Sequence, residues 1–246
     1  MKIKRVTKKM LVIFARFTPM ALGKYLSRDY AYIFYSLKFQ SLDEDIRNHR
    51  YFFRIKGRGF GEDAFHAAWF YVFKKYKPGL ALEIGVYRGQ TISLWAMLSQ
   101  KIGYEIQIHG LSPLDNSGDS VSNYVDVQYE EDILSNFRSF NLSNPRLTKD
   151  YSNSVTGIKF LSSKSWDLIY IDGSHEYDIV LSDYLHSIES LKIGGLLVMD
   201  DSSLYTNFSR SFSGHPGPSR VLRDHPSHRL QRILSVGHNN FFIKIS

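Results

Sequence analysis

Residues 80–89 of this 246-residue chain read Leu80-Ala81-Leu82-Glu83-Ile84-Gly85-Val86-Tyr87-Arg88-Gly89. The first five form a short apolar run with the length of a buried strand, and the two glycines that follow permit a sharp turn. Residues 90–100 then show a helical pattern. A buried strand that turns into a helix is the unit of an open α/β sheet, in which ligands bind beyond the carboxyl ends of the strands.

The same alternation continues along the chain. Apolar runs that are typical of buried strands recur at 105–111, near 147, at 166–171 and at 196–199. Helical patterns lie between them at 130–140, at 155–161 and over 181–191, where Gly194 and Gly195 are predicted to end the helix. This order predicts a parallel sheet with helices on both faces.

The end of the chain has a different pattern. Residues 230–236 and 240–245 are strand-like and are joined by Gly237-His238-Asn239, which predicts an antiparallel hairpin. By analogy of fold, a mostly parallel sheet that ends in such a hairpin is the seven-stranded, doubly wound, Rossmann-like sheet of class I methyltransferases. We expect residues 77–246 to form this domain and residues 1–76 to form a basic, mostly helical extension that caps the site.

The charge and composition of the chain limit its possible cellular locations. The chain has no cysteine, which excludes disulfides and thiolate sites, and much of its net charge of +7 lies ahead of the first acid, Asp29. The apolar runs in this basic segment are too short to span a bilayer. A solvated helix that packs on the body is favoured over attachment to an anionic membrane surface. We expect a cytoplasmic protein, with peripheral contact at the inner membrane face as the alternative.

The turn at 83–89 indicates a cofactor without a pyrophosphate. Gly85 leaves room for a ligand because it has no Cβ, and Gly89 permits close packing where free N–H groups of the helix can bind a carboxylate. A dinucleotide site needs a second glycine where Tyr87 stands, so NAD is disfavoured. S-adenosylmethionine (SAM) fits this spacing better, although an ordinary strand-to-helix turn is the alternative.

Three acids follow two of the predicted strands. Asp172 ends one strand, and Asp200 and Asp201 end the next, so neighbouring strands would bring the three carboxylates together. Their mutual repulsion favours a hard divalent cation such as Mg²⁺, whereas helix capping is the alternative for each acid alone. His175 lies one turn past Asp172 and is the histidine expected in this crevice, where it could act as a general base.

Two stretches resemble known methyltransferases. Residues 82–91 resemble the first motif of catechol-type O-methyltransferases, which implies that Glu83, Gly85, Tyr87 and Thr91 surround the methionine part of SAM. Residues 166–175, continuing to 201, resemble a family of bacterial O-methyltransferases that act on macrolide sugars, on glycolipid rhamnose and in cephalosporin biosynthesis. That resemblance implies that the three aspartates hold Mg²⁺, with Asp172 also in the catalytic and cofactor sites, and that His175 is the base.

The sequence departs from these families at the second strand. An acid usually ends this strand and holds the ribose hydroxyls, but Ser112 stands there and Asp115 comes three residues later. Either residue is a candidate for the ribose, and Asp115 is alternatively part of a turn-rich loop. Ser152 lies where the family contacts adenine.

The sequence gives fewer indications of the residues that would contact the substrate. The stretch 207–219, with Phe212 and His215, is either a substrate lid or a surface loop, and Trp69 and Phe70 are expected in the core or at the substrate.

The sequence thus predicts a Mg²⁺-assisted O-methyltransferase for a sugar or another polyhydroxylated small molecule or glycan. The alternatives are a metal-independent enzyme with His175 as base and a non-catalytic nucleic-acid or membrane binder. Nucleic acid is not an expected partner, because the basic residues form no stripe interleaved with aromatic residues. A homo-oligomer is compatible with the sequence.

Overall fold

A computed structural model describes residues 13, 15–119, 125–205 and 212–246. Most of the basic segment at the start of the chain lies outside these residues, and so does the first half of the stretch 207–219.

The strands form one seven-stranded sheet in which the first five strands are parallel. The strands are β1 (Leu80–Ile84), β2 (Gln107–Ser112), β3 (Arg146–Lys149), β4 (Trp166–Ile171), β5 (Leu191–Met199), β6 (Leu230–Val236) and β7 (Asn239–Lys244). Their order across the sheet is β3-β2-β1-β4-β5-β7-β6, and β7 runs antiparallel to both of its neighbours. The predicted doubly wound sheet with a C-terminal hairpin is therefore confirmed.

Helices precede the sheet and connect its strands. They are α1 (Arg28–Phe39), α2 (Glu44–Ile55), α3 (Asp63–Tyr76), α4 (Gln90–Ile102), α5 (Tyr129–Ser139), α6 (Val155–Ser162), α7 (Tyr177–Ser190) and α8 (Pro216–Asp224). A 3-10 helix at Met20–Tyr25 comes before α1. Among the described residues, no helix has both the length and the apolar character that a membrane span requires.

Alternate residues of the central strands enter two separate cores, one on each face of the sheet. Ala81 and Leu168 belong to the core that contains α1 to α5, whereas Leu82 and Ile169 belong to the core that contains α6, α7 and α8. Strands that are covered on both faces have near-continuous apolar sequences, which explains the runs that predicted them.

The helices before residue 77 share the first core with the sheet. Trp69 of α3 packs edge-on against Trp95 of α4 and Tyr170 of β4, with ring centroids 5.1 and 5.3 Å apart. Tyr35 and Phe39 of α1 are fully buried in the same cluster. The boundary expected after residue 76 coincides with the end of α3, and the helices before it lie directly on the sheet.

One predicted helix end was wrong. We expected Gly194 and Gly195 to end the helix after β4, but α7 ends at Ser190 and β5 begins at Leu191. Leu191 is buried and pairs with Trp166, and the register between β4 and β5 shifts just beyond this pair. The two glycines lie within β5, where Gly194 has a φ of 83°. The helical spacing extended to Leu191 because this leucine is buried in both arrangements.

The second half of the stretch 207–219 was predicted as a substrate lid or a surface loop, and its helical end was not expected. It enters α8, with a proline in the first turn of the helix, a position where the missing N–H costs little. Gly217 lies close to His175, since a Cβ at Gly217 would be 1.9 Å from the carbonyl oxygen of His175. The segment therefore packs beside the predicted site.

Candidate active site

A cavity of about 490 Å³ opens beyond the carboxyl ends of β1, β2, β4 and β5. This volume is within the range of about 300–1,000 Å³ that small-molecule sites occupy. Most of the predicted site residues line it, namely Glu83, Gly85, Tyr87, Thr91, Ser112, Asp172, His175, Asp200 and Asp201. The structure thus brings the glycine turn and the aspartates to the same cavity.

Gly85 fixes the contact between the turn and the end of β4. Its φ is 90°, and a Cβ at this position would be 2.2 Å from the carbonyl oxygen of Asp172 and 2.4 Å from the Cα of Gly173. Asp172 also donates its backbone N–H to the carbonyl of Ile84 at 2.9 Å. Only a residue without a side chain fits this close approach of two backbones.

Gly89 has a structural position at the start of α4. It has a φ of 79° at the helix N-cap, and a Cβ there would be 3.1 Å from the Cγ2 of Ile133 on α5. It does not line the cavity formed by the described residues. Gly89 therefore permits α4 and α5 to pack closely, as its spacing predicted.

Tyr87 has a left-handed backbone between the two glycines. Its φ is 44°, which is uncommon for a residue with a side chain and is a feature of functional turns. Its ring packs against those of Phe60 and Tyr129, at centroid distances of 5.4 and 5.8 Å. Tyr87 therefore connects the turn to the segment before α3 and to α5.

Two buried polar side chains at the cavity have atoms without a hydrogen-bond partner among the described residues. Glu83 is 2% exposed and its Oε2 is unpaired. Burial raises the pKa of Glu83 well above its usual value, against a hydrogen bond from Thr91, and the charge of Asp200 raises it further. Gln90 accepts a hydrogen bond from the N–H of Gly61 at 2.9 Å, and its Nε2 is unpaired. These two buried atoms are a free acceptor and a free donor beside the cavity.

The carboxylates meet as the sequence predicted. The backbone N–H of Asp200 donates to Ile171 at 3.0 Å, which places the end of β5 beside Asp172 at the end of β4. The pKa of Asp172 is raised well above its usual value by burial first, and then by the charge and hydrogen bond of Asp200 and the charges of Glu83 and Asp201. Either a shared proton or a bound cation would relieve this repulsion.

Asp201 is held in place by the segment that leads into α8. It has a φ of 48°, and its carbonyl accepts hydrogen bonds from the N–H of His215 at 2.9 Å and from the hydroxyl of Ser219 at 3.0 Å. Gly214 permits this contact, because a Cβ there would be 2.1 Å from the same carbonyl oxygen. The segment after Asp201 therefore orients the aspartate and also brings His215 to the site.

His175 has a carboxylate at each ring nitrogen. Its Nδ1 is 2.8 Å from Asp119, and its Nε2 is 3.0 Å from Asp201. Burial by itself lowers the pKa of His175, but the hydrogen bonds to Asp201 and Asp119 more than offset this and raise it above its usual value. Asp119, which lies in the turn-rich stretch after Asp115, thus orients the imidazole.

Three further histidines line the crevice. We expected only His175 there, but His66, His215 and His238 also line it. The Nε2 of His215 is 3.6 Å from Asp201, and the Nε2 of His238 is 3.2 Å from Asp200. The predicted hairpin could have indicated His238. The start of β7 lies beside the end of β5, where Met199 pairs with Asn240, so the turn before β7 lies near Asp200.

Besides Gly89, three predicted candidates do not reach the cavity that the described residues form. Asp115 accepts hydrogen bonds from the N–H and hydroxyl of Ser117, which closes a local turn. Ser152 lies beside Asp183 of α7, whose pKa burial raises to about 7 while Ser152 partly opposes the rise. Phe70 packs against the core, whereas its neighbour Trp69 lines the cavity.

The segment before α3 covers the cavity opposite the sheet. Gly59, Phe60 and Gly61 line it together with Phe65. A Cβ on Gly59 or Gly61 would be 2.1 or 3.0 Å from the Oε1 of Gln90, so this glycine-rich segment lies directly on the start of α4. The expectation that the N-terminal region caps the site remains a prediction, and these contacts are in line with it.

Comparisons with known proteins agree with this architecture. Residues 82–202 match the model of a protein family described as a methyltransferase domain. An uncharacterized protein of Acanthamoeba polyphaga mimivirus is 29% identical over 147 residues, which cover 58% of this chain and 59% of that protein. The match thus spans less than two thirds of this relative's length.

Solved structures have the same fold at low identity. An SAH-bound methyltransferase from Podospora anserina is 13% identical, with coverage of 83% of this chain and 89% of that chain and a TM-score of 0.58. An O-methyltransferase from Bacillus cereus in complex with SAH is 12% identical, with coverage of 88% and 98% and a TM-score of 0.57. The O-methyltransferase TomG from Streptomyces achromogenes, in complex with SAM, is 12% identical, with coverage of 89% and 97% and a TM-score of 0.56. These structures show the same fold, and the family model shows similarity to a methyltransferase domain over residues 82–202.

Proposed function

We propose that the chain is a SAM-dependent O-methyltransferase that uses a divalent cation such as Mg²⁺. We propose as its acceptor a hydroxyl of a sugar or of another polyhydroxylated small molecule or glycan. The proposal depends above all on one observation, which is that a single cavity joins the glycine turn at Gly85 to the carboxylates of Asp172, Asp200 and Asp201.

The unpaired atoms at the turn fit the methionine part of SAM. The free Oε2 of Glu83 can accept a hydrogen bond from an ammonium group, and the free Nε2 of Gln90 can donate one to a carboxylate. A methionine moiety has both groups on one carbon. SAM would supply an activated methyl group, and the residues of the turn would orient it toward the aspartates.

The aspartates fit a hard divalent cation. Asp172, Asp200 and Asp201 offer carboxylate oxygens on neighbouring strand ends, and oxygen is the ligand that Mg²⁺ prefers. A bound cation would orient two acceptor oxygens and lower the pKa of the hydroxyl that is methylated. Two adjacent hydroxyls of a polyhydroxylated acceptor suit such a site, and the choice of a sugar follows the sequence resemblance.

His175 is the proposed base. Asp119 accepts the Nδ1 proton at 2.8 Å and thereby fixes the tautomer whose Nε2 faces the cavity beside Asp201. Once Nε2 has released its own proton, the neutral imidazole held in this orientation can accept the proton of a hydroxyl within hydrogen-bond reach. In this scheme Asp119 positions His175 and does not itself contact the acceptor.

Calorimetry and one aspartate variant test the proposal. We expect SAH to bind the wild-type protein, and we expect Asp200→Ala to lose turnover by about a hundredfold or more while its affinity for SAH changes by less than about threefold. Asp178→Ala is the matched control, because Asp178 is an exposed acid in the first turn of α7. No heat with SAH would remove the cofactor assignment, and equal losses of turnover and SAH affinity would argue against a metal role for Asp200.

A metal-independent methyltransferase is the second candidate. His175 is hydrogen-bonded to Asp119 and Asp201, and Asp172 is hydrogen-bonded to Asp200. Protons shared in these hydrogen bonds can offset the repulsion between the carboxylates without a metal ion. Full turnover in excess chelator would favour this candidate, and turnover that is lost with chelator and restored by added Mg²⁺ or Mn²⁺ would exclude it.

A further inference from the structure

The geometry points to His238 as a direct ligand of the cation at Asp200 and Asp201, in a site suited to a transition-metal ion such as Mn²⁺ more than to Mg²⁺. This inference rests on the proposed cation-dependent function and names the ion class and an additional ligand. It adds to the three aspartates a residue from the turn between β6 and β7.

The distances fit a shared ion. The Nε2 of His238 is 3.2 Å from one carboxylate oxygen of Asp200 and 3.9 Å from one of Asp201, and one ligand atom from each of the three residues lies within 4.8 Å of the others. Ligands about 2.1 Å from an octahedral ion are about 3.0 Å apart when adjacent and about 4.2 Å apart when opposite. The three atoms therefore have the spacing of ligands around one ion.

The fold holds His238 in this position from two sides. Its carbonyl accepts a hydrogen bond from the N–H of Ser202 at 3.0 Å, which ties the turn to the residues after β5. Its ring packs against Phe65 at 4.7 Å and Phe212 at 5.2 Å between centroids. Because the backbone and both flanks of the ring are fixed, the imidazole is oriented before any ligand arrives.

The charge of the site calls for a cation. No lysine lines the cavity among the described residues, and its one arginine, Arg88, is paired with Asp132 at 2.6 Å. The unpaired, buried Oε2 of Glu83 faces the same cavity and adds a further acidic group. Apart from the histidines, the three clustered aspartates and the buried glutamate thus have no basic partner among the described residues of the cavity wall.

An imidazole ligand changes which ion the site prefers. Mg²⁺ takes oxygen ligands almost exclusively, whereas Mn²⁺, Co²⁺ and Zn²⁺ accept imidazole nitrogen together with carboxylate oxygen. Of the other two histidines close to these aspartates in the described part of the chain, His175 has Asp119 at its second nitrogen, and His215 is 3.6 Å from Asp201. His238 is the one that contacts both Asp200 and Asp201, so the selectivity is assigned to it.

Mn²⁺ titration followed by electron paramagnetic resonance tests the inference on the full chain. We expect the wild-type protein to bind Mn²⁺ about tenfold or more tightly than Mg²⁺, and its bound Mn²⁺ to show pulsed-resonance coupling to ¹⁴N of a coordinated imidazole. In His238→Gln we expect loss of this coupling, about tenfold weaker Mn²⁺ binding and little change for Mg²⁺. His228→Gln is the matched control, since His228 is exposed and does not line the cavity, and we expect it to behave as wild type.

The outcomes separate this inference from the proposed function. Wild-type protein that binds Mn²⁺ without ¹⁴N coupling, or that binds no Mn²⁺, overturns it, even if every histidine variant fails to fold. Coupling that survives in His238→Gln assigns the imidazole to another histidine and also overturns it. Calorimetry with SAH on the same samples reports on the methyltransferase assignment, so SAH binding with no ¹⁴N coupling rejects the His238 ligand alone.

Discussion

Replacement of Gly85 by alanine should damage both the stability of the fold and the cofactor site. The left-handed conformation at a φ of 90° costs a residue with a side chain about 1–2 kcal/mol. The new Cβ would also be 2.2 Å from the carbonyl oxygen of Asp172 and 2.4 Å from the Cα of Gly173, and backbone atoms at these distances have to move. Overpacking of this kind costs about 1–3 kcal/mol. We therefore expect Gly85→Ala to lower the free energy of unfolding by about 2–5 kcal/mol.

Gly103→Ala is the matched control for the backbone strain. Gly103 has a φ of 80° at the end of α4, but nothing lies within 4 Å of a Cβ built there. The same change in chain entropy accompanies both substitutions, so it cancels in the comparison. We expect Gly103→Ala to cost about 1–2 kcal/mol and to leave SAH binding unchanged, because only the strain term applies.

Urea unfolding and calorimetry with SAH provide the assay. Gly85→Ala should unfold at lower urea than Gly103→Ala and should bind SAH at least about tenfold more weakly, since the turn must move away from Asp172. Equal unfolding free energies for the two variants would show that the end of β1 accommodates a Cβ at residue 85 with no loss of stability beyond the backbone strain. The reasoning about close backbone contact at the cofactor turn would then be wrong.

Three other substitutions test separate parts of the structure. Burial raises the pKa of Asp183 to about 7, so the free energy of unfolding of the wild-type protein should fall by up to about 4 kcal/mol as pH rises from about 4 to 7. Asp183→Asn should remove this pH dependence, and equal slopes for the two proteins in pH-dependent unfolding would contradict the prediction. Burial lowers the pKa of His66 to about 3, so as pH falls below about 6.5 this histidine takes up a proton in the unfolded chain but not in the folded one. The free energy of unfolding should therefore fall between pH 6.5 and pH 3, and it should fall less in His66→Gln. Gly61→Ala should weaken SAH binding by displacing Gln90, whereas Gly57→Ala, where a Cβ meets nothing within 4 Å, should not; calorimetry that finds the two alike would reject a role for this segment.

The sequence was sufficient to predict the sheet because its strands are covered on both faces. Such strands have to be apolar throughout. The runs at 80–84 and 166–171 are the central strands β1 and β4, and the run at 196–199 is the C-terminal end of β5. The ends of elements were less predictable, because a buried residue such as Leu191 satisfies either a helix or a strand. The start of α8 was also hidden, since Gly217 and the prolines around it read as a loop until their packing against His175 is known.

The candidate site was predictable where it depends on a single strand end and less so where it depends on contacts between distant segments. The turn at 83–89, the three aspartates and His175 all follow strands directly, so the parallel sheet places them together. Asp119 is 56 residues before His175 in the chain, and its hydrogen bond depends on a loop whose course no periodic pattern defines. His215 likewise reaches the cavity through the backbone contact with Asp201.

The helical extension and the C-terminal hairpin depend on each other, which affects how the site can be dissected. Arg28 of α1 donates a side-chain hydrogen bond to the carbonyl of Gly237 at 3.1 Å, and Gly237 donates its N–H to the carbonyl of Arg28 at 3.1 Å. Gly237 is the neighbour of His238, and the ring of His238 packs on Phe65 of α3. A truncation before residue 77 would therefore release the hairpin turn as well as uncover the cavity. Loss of metal binding in such a truncated chain would reflect the displacement of His238 as much as the loss of a cap, and only point substitutions that leave α1 and α3 in place can distinguish the two.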